Sequence, residues 1–183
     1  NWGATPDSPV YLTVGRVASE KNMQLLFRAW EKISECQPDA RLVIVGDGPE
    51  RKRLEAEWPA AHFAGAQRGE DLATHYASAD FFLFPSITET FGNVVTEALA
   101  SGLVVLAFDY AAPKKFIHSG QNGFTVPYND EHAFLKAAIS LTEKEADWSA
   151  LRKAARETGL ELSWEKILEG FANDLADAVA QQK

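Results

Sequence analysis

The sequence has little cysteine and no long hydrophobic run, and both absences exclude classes of protein. Cys36 is the only cysteine among the 183 residues, so the chain has no pair for an internal disulfide and no cysteine-based zinc site. No apolar run approaches the roughly 18 residues of a membrane-spanning helix, and the first residues do not resemble a signal peptide. We expect a soluble, cytoplasmic chain in which Cys36 is a buried apolar filler.

Positive charge is also scarce. Eighteen Lys and Arg residues face 26 Asp and Glu residues, which gives a net charge of −8, and no Lys- or Arg-rich run occurs. A face that binds nucleic acid needs basic residues to neutralise phosphates, so we do not expect nucleic acid as a partner. The 46% hydrophobic and 24% charged content is that of an ordinary compact domain with a buried core.

Several common functional motifs are missing. Neither the P-loop pattern nor the G-x-S-x-G nucleophile elbow occurs. Gly46 and Gly48 begin a dinucleotide-type pattern, but Arg51 occupies the place of its third glycine, which leaves a tight strand-to-helix turn or backbone contact with another ligand. The four histidines have no i, i+4 pair and no neighbouring cysteine, so we predict no metal site.

Strands and helices are predicted to alternate along the chain. This alternation predicts an α/β fold with a Rossmann-like parallel sheet of about six strands, helices on both faces and a helical C-terminal tail. We assign residues 1–9 to a linker from a missing N-terminal domain, residues 10–162 to the sheet domain and residues 163–183 to a C-terminal helix. Predicted strands cover residues 10–17, 40–45, 62–64, 81–84, 104–108 and 123–126, and predicted helices cover 22–36, 49–58, 70–79, a segment from about 92, 113–119, 131–142, 147–158 and 164–180.

One stretch, residues 86–102, combines a strand end, a helix start and two carboxylates. Seven residues separate Glu89 from Glu97, and helical positions eight apart return to about the same side, so both side chains are expected to face one ligand. Gly92 lets a ligand approach the backbone, and the amides of Phe91, Gly92 and Asn93 lie where a helix N-terminus favours an anion. The stretch therefore predicts a phosphate-binding helix start with a carboxylate on each side.

Two basic residues follow the first predicted strand. Arg16 and Lys21 lie in a loop at the carboxyl end of that strand, and ligands of parallel α/β sheets bind beyond such ends. An arginine fork and a lysine ammonium both suit phosphate oxygens. Taken singly, these residues and the two glutamates are equally consistent with solvated surface charges, and their combination around a glycine-led helix start favours a site.

Several segments in fixed order resemble the C-terminal domain of the family-4 retaining glycosyltransferases, which have the two-domain GT-B fold and the motif E-x(7)-E. The resemblance spans about residues 10–127. The segments are V-G-R-V-A-S-E-K-N, L-V-I-V-G-D-G-P-E, F-A-G, D-L-A-T-H-Y-A-S-A-D, P-S-I-T-E-T-F-G-N-V-V-T-E-A-L-A-S-G and G-Q-N-G-F-T-V-P.

The resemblance implies a role for each matching position. Arg16 and Lys21 would bind the diphosphate of a nucleotide-sugar donor, Glu89 would bind hydroxyls of the donor sugar, and Glu97 would bind the ribose hydroxyls. The catalytic residues implied are Glu89, Arg16 and Lys21. The other donor-binding positions implied are Gly15, Gly48, Pro49, Phe63, Ala64, Phe91, Gly92, Asn93 and Val94.

The function implied is the donor-binding half of an enzyme that transfers a sugar from a UDP-, GDP- or ADP-linked donor to a glycan, lipid or small molecule with retention. The resemblance implies no cofactor and no metal, and it implies an absent N-terminal acceptor domain, without which we expect this chain to be inactive. Any peripheral membrane contact is expected through that absent half. The alternatives are a non-catalytic nucleotide-sugar-binding module and an unrelated doubly wound regulatory domain.

One position departs from the family pattern. After the fifth predicted strand, related chains usually carry a small-residue turn followed by a glutamate, and this chain has Lys115 at that place. The substitution questions the role carried by that glutamate and leaves an altered substrate preference or weakened activity open.

Overall fold

A single sheet of six parallel strands organises the fold. The computed structural model describes residues 2–5, 7–143, 147–162 and 164–180. The strands pair in the order β3-β2-β1-β4-β5-β6, and every pairing is parallel, which confirms the predicted fold class. Their bounds are β1 Val10–Val14, β2 Arg41–Val45, β3 His62–Gly65, β4 Phe81–Phe84, β5 Val104–Phe108 and β6 Phe124–Val126.

Helices connect the strands and complete the described part of the chain. A short 3-10 turn, Ser19–Lys21, precedes the first of them. The helices are α1 Met23–Cys36, α2 Arg51–Glu57, α3 Gly69–Ala77, α4 Asn93–Ala100, α5 Ala111–Phe116, α6 Glu131–Ser140, α7 Ser149–Glu161 and α8 Trp164–Ala180. None of the helices in the described ranges is both long and apolar enough to cross a bilayer.

The four central strands, β2, β1, β4 and β5, are buried on both faces of the sheet, which explains their nearly continuous apolar sequences. Successive side chains of a strand point to opposite faces. Tyr11 therefore packs with α1 and α6 in one core, and Leu12 packs with α3, α4 and α7 in the other. The largest fully buried side chains, Tyr11 and Phe82 among them, come from both cores. Buried strands of this kind need apolar residues at every position rather than at alternate ones.

Several element boundaries differ from the sequence predictions. β1 ends at Val14 rather than Val17, because the chain turns there toward the 3-10 segment. Pro49 precedes α2 instead of occupying its first turn, since that helix begins at Arg51. Cys36 is exposed, so its predicted burial was wrong. The buried stripe of α1 ends at Ile33, and Cys36 is the last residue of the helix.

The strand order creates a crevice at one edge of the sheet. The connections from β1 lead toward β2 and β3, whereas the connections from β4 lead toward β5 and β6. In doubly wound sheets, ligands bind beyond the carboxyl ends of the strands at this switch point. The loops that follow β1 and β4 carry Arg16, Lys21, Glu89 and Gly92, so the fold brings the predicted site residues to the switch point.

Candidate functional site

A cleft of about 430 Å³ lies at the switch point between β1 and β4. Residues from both loops line it, together with the first residues of α4. Eight of the thirteen predicted donor-binding positions contribute to its lining: Gly15, Arg16, Lys21, Glu89, Phe91, Gly92, Asn93 and Val94. The cleft thus collects both predicted cations, one predicted carboxylate and the helix start.

An ion pair joins the two loops across the cleft. The Lys21 Nζ atom lies 2.5 Å from Glu89 Oε1 and donates a second hydrogen bond to the Thr88 carbonyl at 3.2 Å. The side chains of Lys21 and Glu89 are only 23% and 12% exposed. Arg16 is 64% exposed and pairs with Glu20 at 3.1 Å on the surface. Lys21 is therefore held in place, while Arg16 makes a solvent-screened pair that a ligand anion can replace.

The loop that carries Glu89 is held at three consecutive carbonyl groups. The Tyr128 hydroxyl donates to the Ile87 carbonyl at 2.8 Å, Lys21 donates to that of Thr88, and the Tyr110 hydroxyl donates to that of Glu89 at 3.2 Å. Neither tyrosine was predicted as a site residue from the sequence. A signal was present, because each stands two residues after the end of a strand, β5 or β6, at the same edge of the sheet.

The start of α4 is shaped for close approach. Gly92 has φ +95°, in the left-handed region that glycine adopts at little cost, and no side chain caps the helix. The first amide groups of a helix have no partner within the helix. Because Asn93 and Val94 of this first turn line the cleft, an anion bound there meets the positive end of the helix dipole.

The helical spacing used to relate Glu97 to Glu89 does not hold in the structure. Since α4 begins at Asn93, Glu89 precedes the helix, and helical periodicity does not relate the two carboxylates. Glu97 is outside the lining of the cleft, one turn further along α4. Its Oε2 atom accepts a hydrogen bond from the Tyr76 hydroxyl at 2.8 Å. Burial, and next the Glu97 charge, raise the pKa of Tyr76 far above its ordinary value, so the hydroxyl stays protonated.

Four of the donor-binding positions implied by the resemblance, Gly48, Pro49, Phe63 and Ala64, lie outside the cleft lining. Gly48 and Pro49 line a separate depression of about 390 Å³ beside α2, and the Phe63 carbonyl lies 3.5 Å from Arg51 Nη2. Ala64 lines a third cavity near Trp2.

The loop after β2 packs directly on the loop after β1. The Val17 amide donates to the Asp47 carbonyl at 2.9 Å, and the Glu50 amide donates to the Val17 carbonyl at 3.1 Å. A Cβ atom at Gly48 would lie 2.2 Å from the Val17 carbonyl oxygen. This close approach gives Gly48 a structural reason of its own, in agreement with the tight-turn interpretation.

Lys115 lies on the exposed surface of α5. Its Nζ atom lies 5.3 Å from the centre of the Phe116 ring, and that ring lies 5.9 Å from the ring of Phe91, which lines the cleft. The Ala112 amide donates to the Phe91 carbonyl at 2.9 Å, which ties the start of α5 to the loop before α4. The departure from the family pattern is therefore close to the cleft.

Larger cavities at the opposite edge of the sheet offer weaker chemistry. They measure about 490 and 650 Å³ and share the residues Ser8, Asp80 and Arg152. Arg152 Nη1 pairs with Asp80 Oδ1 at 2.8 Å, and Asp80 Oδ2 accepts from the Val10 amide at 3.0 Å. Both charges are already partnered within the protein. Across the described ranges no cluster of three or more His, Cys, Asp or Glu residues suited to a metal ion occurs.

A parallel sheet with a cation-bearing cleft at its switch point defines the chain as a doubly wound α/β domain. Comparison with known proteins makes this specific: the chain belongs to the family described as "Glycosyl transferases group 1", whose model matches residues 8–144. The resemblance to the C-terminal domain of GT-B glycosyltransferases is confirmed.

Relatives and a solved structure agree with this assignment. A "GDP-mannose-dependent alpha-mannosyltransferase" of Corynebacterium glutamicum is 35% identical over 180 residues, which cover 98% of this chain and 42% of that protein. "Sulfoquinovosyl transferase SQD2" of Arabidopsis thaliana is 34% identical over 92% of this chain and 33% of that protein. The structure of a sucrose-phosphate synthase from Thermosynechococcus elongatus matches 96% of this chain and 46% of that chain, with a TM-score of 0.79 and 29% identity. The chain thus spans less than half the length of these relatives.

Proposed function

We propose that this chain is the donor-binding half of a retaining, metal-independent glycosyltransferase that takes a sugar from a nucleoside diphosphate. The observation that carries the proposal is the Lys21–Glu89 pair, which places a cation and a carboxylate side by side next to the start of α4. A nucleotide sugar presents an anionic diphosphate joined to a hydroxyl-rich ring. Lys21 suits the anionic diphosphate, and Glu89 suits the hydroxyl groups of the sugar ring.

The cations of the cleft and the first amides of α4 explain how the site would accelerate sugar transfer. Breaking the bond at the anomeric carbon places negative charge on the leaving diphosphate. Lys21, Arg16 and the first amides of α4 would stabilise that charge without rearranging, which is the usual source of large rate enhancements. This local cluster is needed because the chain as a whole carries a net charge of −8. A divalent cation is not needed for charge neutralisation in this scheme.

We assign the two carboxylates of the site to the hydroxyl groups of the donor. Glu89, beside Lys21 in the cleft, would accept hydrogen bonds from the donor sugar, and Glu97 on the next turn of α4 would accept them from the ribose. Ionised carboxylates are acceptors only, and charge-assisted bonds from hydroxyls are stronger than neutral ones. Relatives of similar identity are named for mannose and for sulfoquinovose, so a direct screen has to identify the donor.

The first test is a thermal-shift and calorimetric screen of GDP, UDP and ADP with and without EDTA. One of them at a hundredfold excess over Kd is expected to stabilise the chain by about 2.7 kcal/mol, or roughly 5 to 10 °C in Tm. Lys21→Ala is expected to weaken this binding by about 10- to 100-fold through loss of a charged contact. Lys32→Ala is the matched control, since Lys32 forms an exposed pair with Glu35 on α1. No shift with any nucleotide, or a shift that EDTA abolishes, would contradict the proposal.

The acceptor site belongs to the proposal for the whole protein. The relatives extend well beyond the matched region, and we propose that an N-terminal domain of the full-length protein binds the acceptor and any membrane surface. We also propose a cytoplasmic location, which agrees with a lone cysteine that has no disulfide partner.

Lys115 supports one second candidate function, a module that binds nucleotide sugars without transferring them. This lysine takes the place of the usual glutamate and lies beside Phe116, whose ring packs against the ring of Phe91 in the cleft. Transfer by the full-length protein, with any donor, would exclude this candidate. Membership of a glycosyltransferase family already excludes an unrelated regulatory domain.

A further inference from the structure

Tyr76 is a buried tyrosine whose hydroxyl contacts α4, the helix whose first turn lines the cleft. The residue is 3% exposed, near the end of α3, and its ring packs 6.0 Å from the ring of Phe82 in the core. Its hydroxyl lies 2.8 Å from Glu97 Oε2 and 3.3 Å from the Val94 carbonyl oxygen. The packing of the ring fixes the position of the hydroxyl, because a close-packed core leaves a large side chain few alternatives.

Glu97 itself is exposed, and nothing else holds its carboxylate. Among the described residues, Tyr76 supplies the only hydrogen bond to that group. An exposed glutamate samples several rotamers, and a ligand that fixes it must offset the lost freedom. A single bond to Oε2 removes much of this freedom in advance and leaves Oε1 available to a ligand.

We propose that Tyr76 is a positioning residue that holds Glu97 in the rotamer needed to accept hydrogen bonds from the ribose hydroxyls of the donor. This inference rests on the proposed function, since it names the group that prepares one part of the same site. Tyr76 touches no ligand in this scheme and acts through Glu97. Burial, and next the Glu97 charge, raise the pKa of Tyr76 above its ordinary value, so the hydroxyl is a donor at neutral pH.

The experiment compares GDP with 2′,3′-dideoxy-GDP on the unsubstituted chain and on Tyr76→Phe, by titration calorimetry. The unsubstituted chain is expected to bind GDP about 10-fold more tightly than the dideoxy analogue, because the analogue lacks the hydroxyls that Glu97 accepts. In Tyr76→Phe this ratio should fall to between 1 and about 3, with GDP weakened and the analogue nearly unchanged. If the screen identifies UDP or ADP instead, the same pair of nucleotides with that base is used.

A purely structural role for Tyr76 would give a different result, because it would weaken both nucleotides alike and leave their ratio unchanged. Tyr11→Phe is the matched control. Tyr11 is also buried and donates to Gln37 Oε1 at 2.8 Å, but it lies in the other core. We expect Tyr11→Phe to lower Tm and keep the ratio of the unsubstituted chain. In a Glu97→Ala background, Tyr76→Phe should change the GDP affinity by less than about twofold.

The possible failures are distinguishable. If the unsubstituted chain binds none of GDP, UDP and ADP, the proposed function fails and this inference fails with it. If it binds one of them but Tyr76→Phe keeps the ratio, only the inference is overturned. Should Tyr76→Phe not fold, Glu97→Asp replaces it, since the shorter side chain retains the charge and moves away from the Tyr76 hydroxyl. An unchanged ratio in Glu97→Asp would likewise overturn the inference.

Discussion

Lys21 and Glu89 neutralise each other across the cleft, and a bound nucleotide sugar would have to interact with both. The pair is shielded from solvent by the loops that carry it, so it is more strongly coupled than the screened Arg16–Glu20 pair outside. Diphosphate binding and sugar binding therefore place opposite demands on Glu89. In the proposed site its charge would compete with the diphosphate for Lys21, and the same charge would accept hydrogen bonds from the sugar hydroxyls.

This opposition predicts effects of different sign for Glu89→Gln. Binding of the free nucleoside diphosphate is expected to stay equal or to tighten by a few fold, because Lys21 loses its competing carboxylate. Binding of the matching nucleotide sugar is expected to weaken by about 10-fold, because charge-assisted hydrogen bonds are lost. Calorimetric titration of both ligands measures the two effects, with Glu35→Gln on α1 as the surface control. Equal weakening of both ligands would show that Glu89 only supports the loop.

The geometry of the cleft depends on contacts between the loops that follow several strands, and not on α4 alone. The loop after β4 is tied to the loops after β5 and β6 by Tyr110 and Tyr128, whose rings lie 5.0 Å apart. The loop after β2 packs on the loop after β1 through Gly48. Each connection uses a backbone carbonyl, so the positions of Lys21 and Glu89 depend on neighbouring strands.

Loss of both tyrosine hydroxyls should loosen the Glu89 loop without unfolding the domain. Tyr110→Phe combined with Tyr128→Phe removes two exposed hydrogen bonds, each worth about 0.5 to 1 kcal/mol. Native-state hydrogen exchange is expected to accelerate by about 5- to 10-fold at the Ala112 amide, which donates to the Phe91 carbonyl at the end of this loop, and to stay unchanged at Phe82 in β4. Tyr11→Phe serves for comparison, because its effect should be global. Uniform acceleration in the double variant would contradict a local role.

Gly48→Ala tests the contact between the loops after β1 and β2. The new Cβ atom would lie 2.2 Å from the Val17 carbonyl oxygen, so one of the two loops has to move. We expect a loss of about 1 to 3 kcal/mol in the free energy of unfolding, as for other overpacked sites, together with weaker nucleotide binding. Gly170→Ala on α8 meets no atom within 4 Å and should be neutral or slightly stabilising. Chemical denaturation measures the free energy of unfolding of both variants. A value for Gly48→Ala equal to that of the unsubstituted chain would disprove the steric argument.

For the whole molecule, the sequence predicted what depends on local pattern and missed what depends on packing between distant elements. Buried strands at regular intervals gave the parallel sheet, and glycine at a strand-to-helix junction gave the helix start at Gly92. The Tyr76–Glu97 bond joins residues 21 apart through the packing of α3 beside α4, which no periodicity encodes. Glu97 was expected to face the same ligand as Glu89 from a count of helical turns that included residues 89–92, which precede α4.

Whether binding of the donor leads to sugar transfer depends on the surfaces that enclose the donor. The cleft lies open at one edge of a sheet, and this chain matches only 42% of the length of its mannosyltransferase relative. Excluding water and positioning an acceptor require surfaces on both sides of the donor. We therefore expect the 183-residue chain to bind a nucleoside diphosphate with no measurable turnover, and the full-length protein to transfer its sugar with retention of configuration. Assaying both with the donor found by the screen, and with Lys21→Ala as the binding-deficient control, tests this expectation. Turnover by the chain alone would show that the donor half already contains the complete catalytic apparatus.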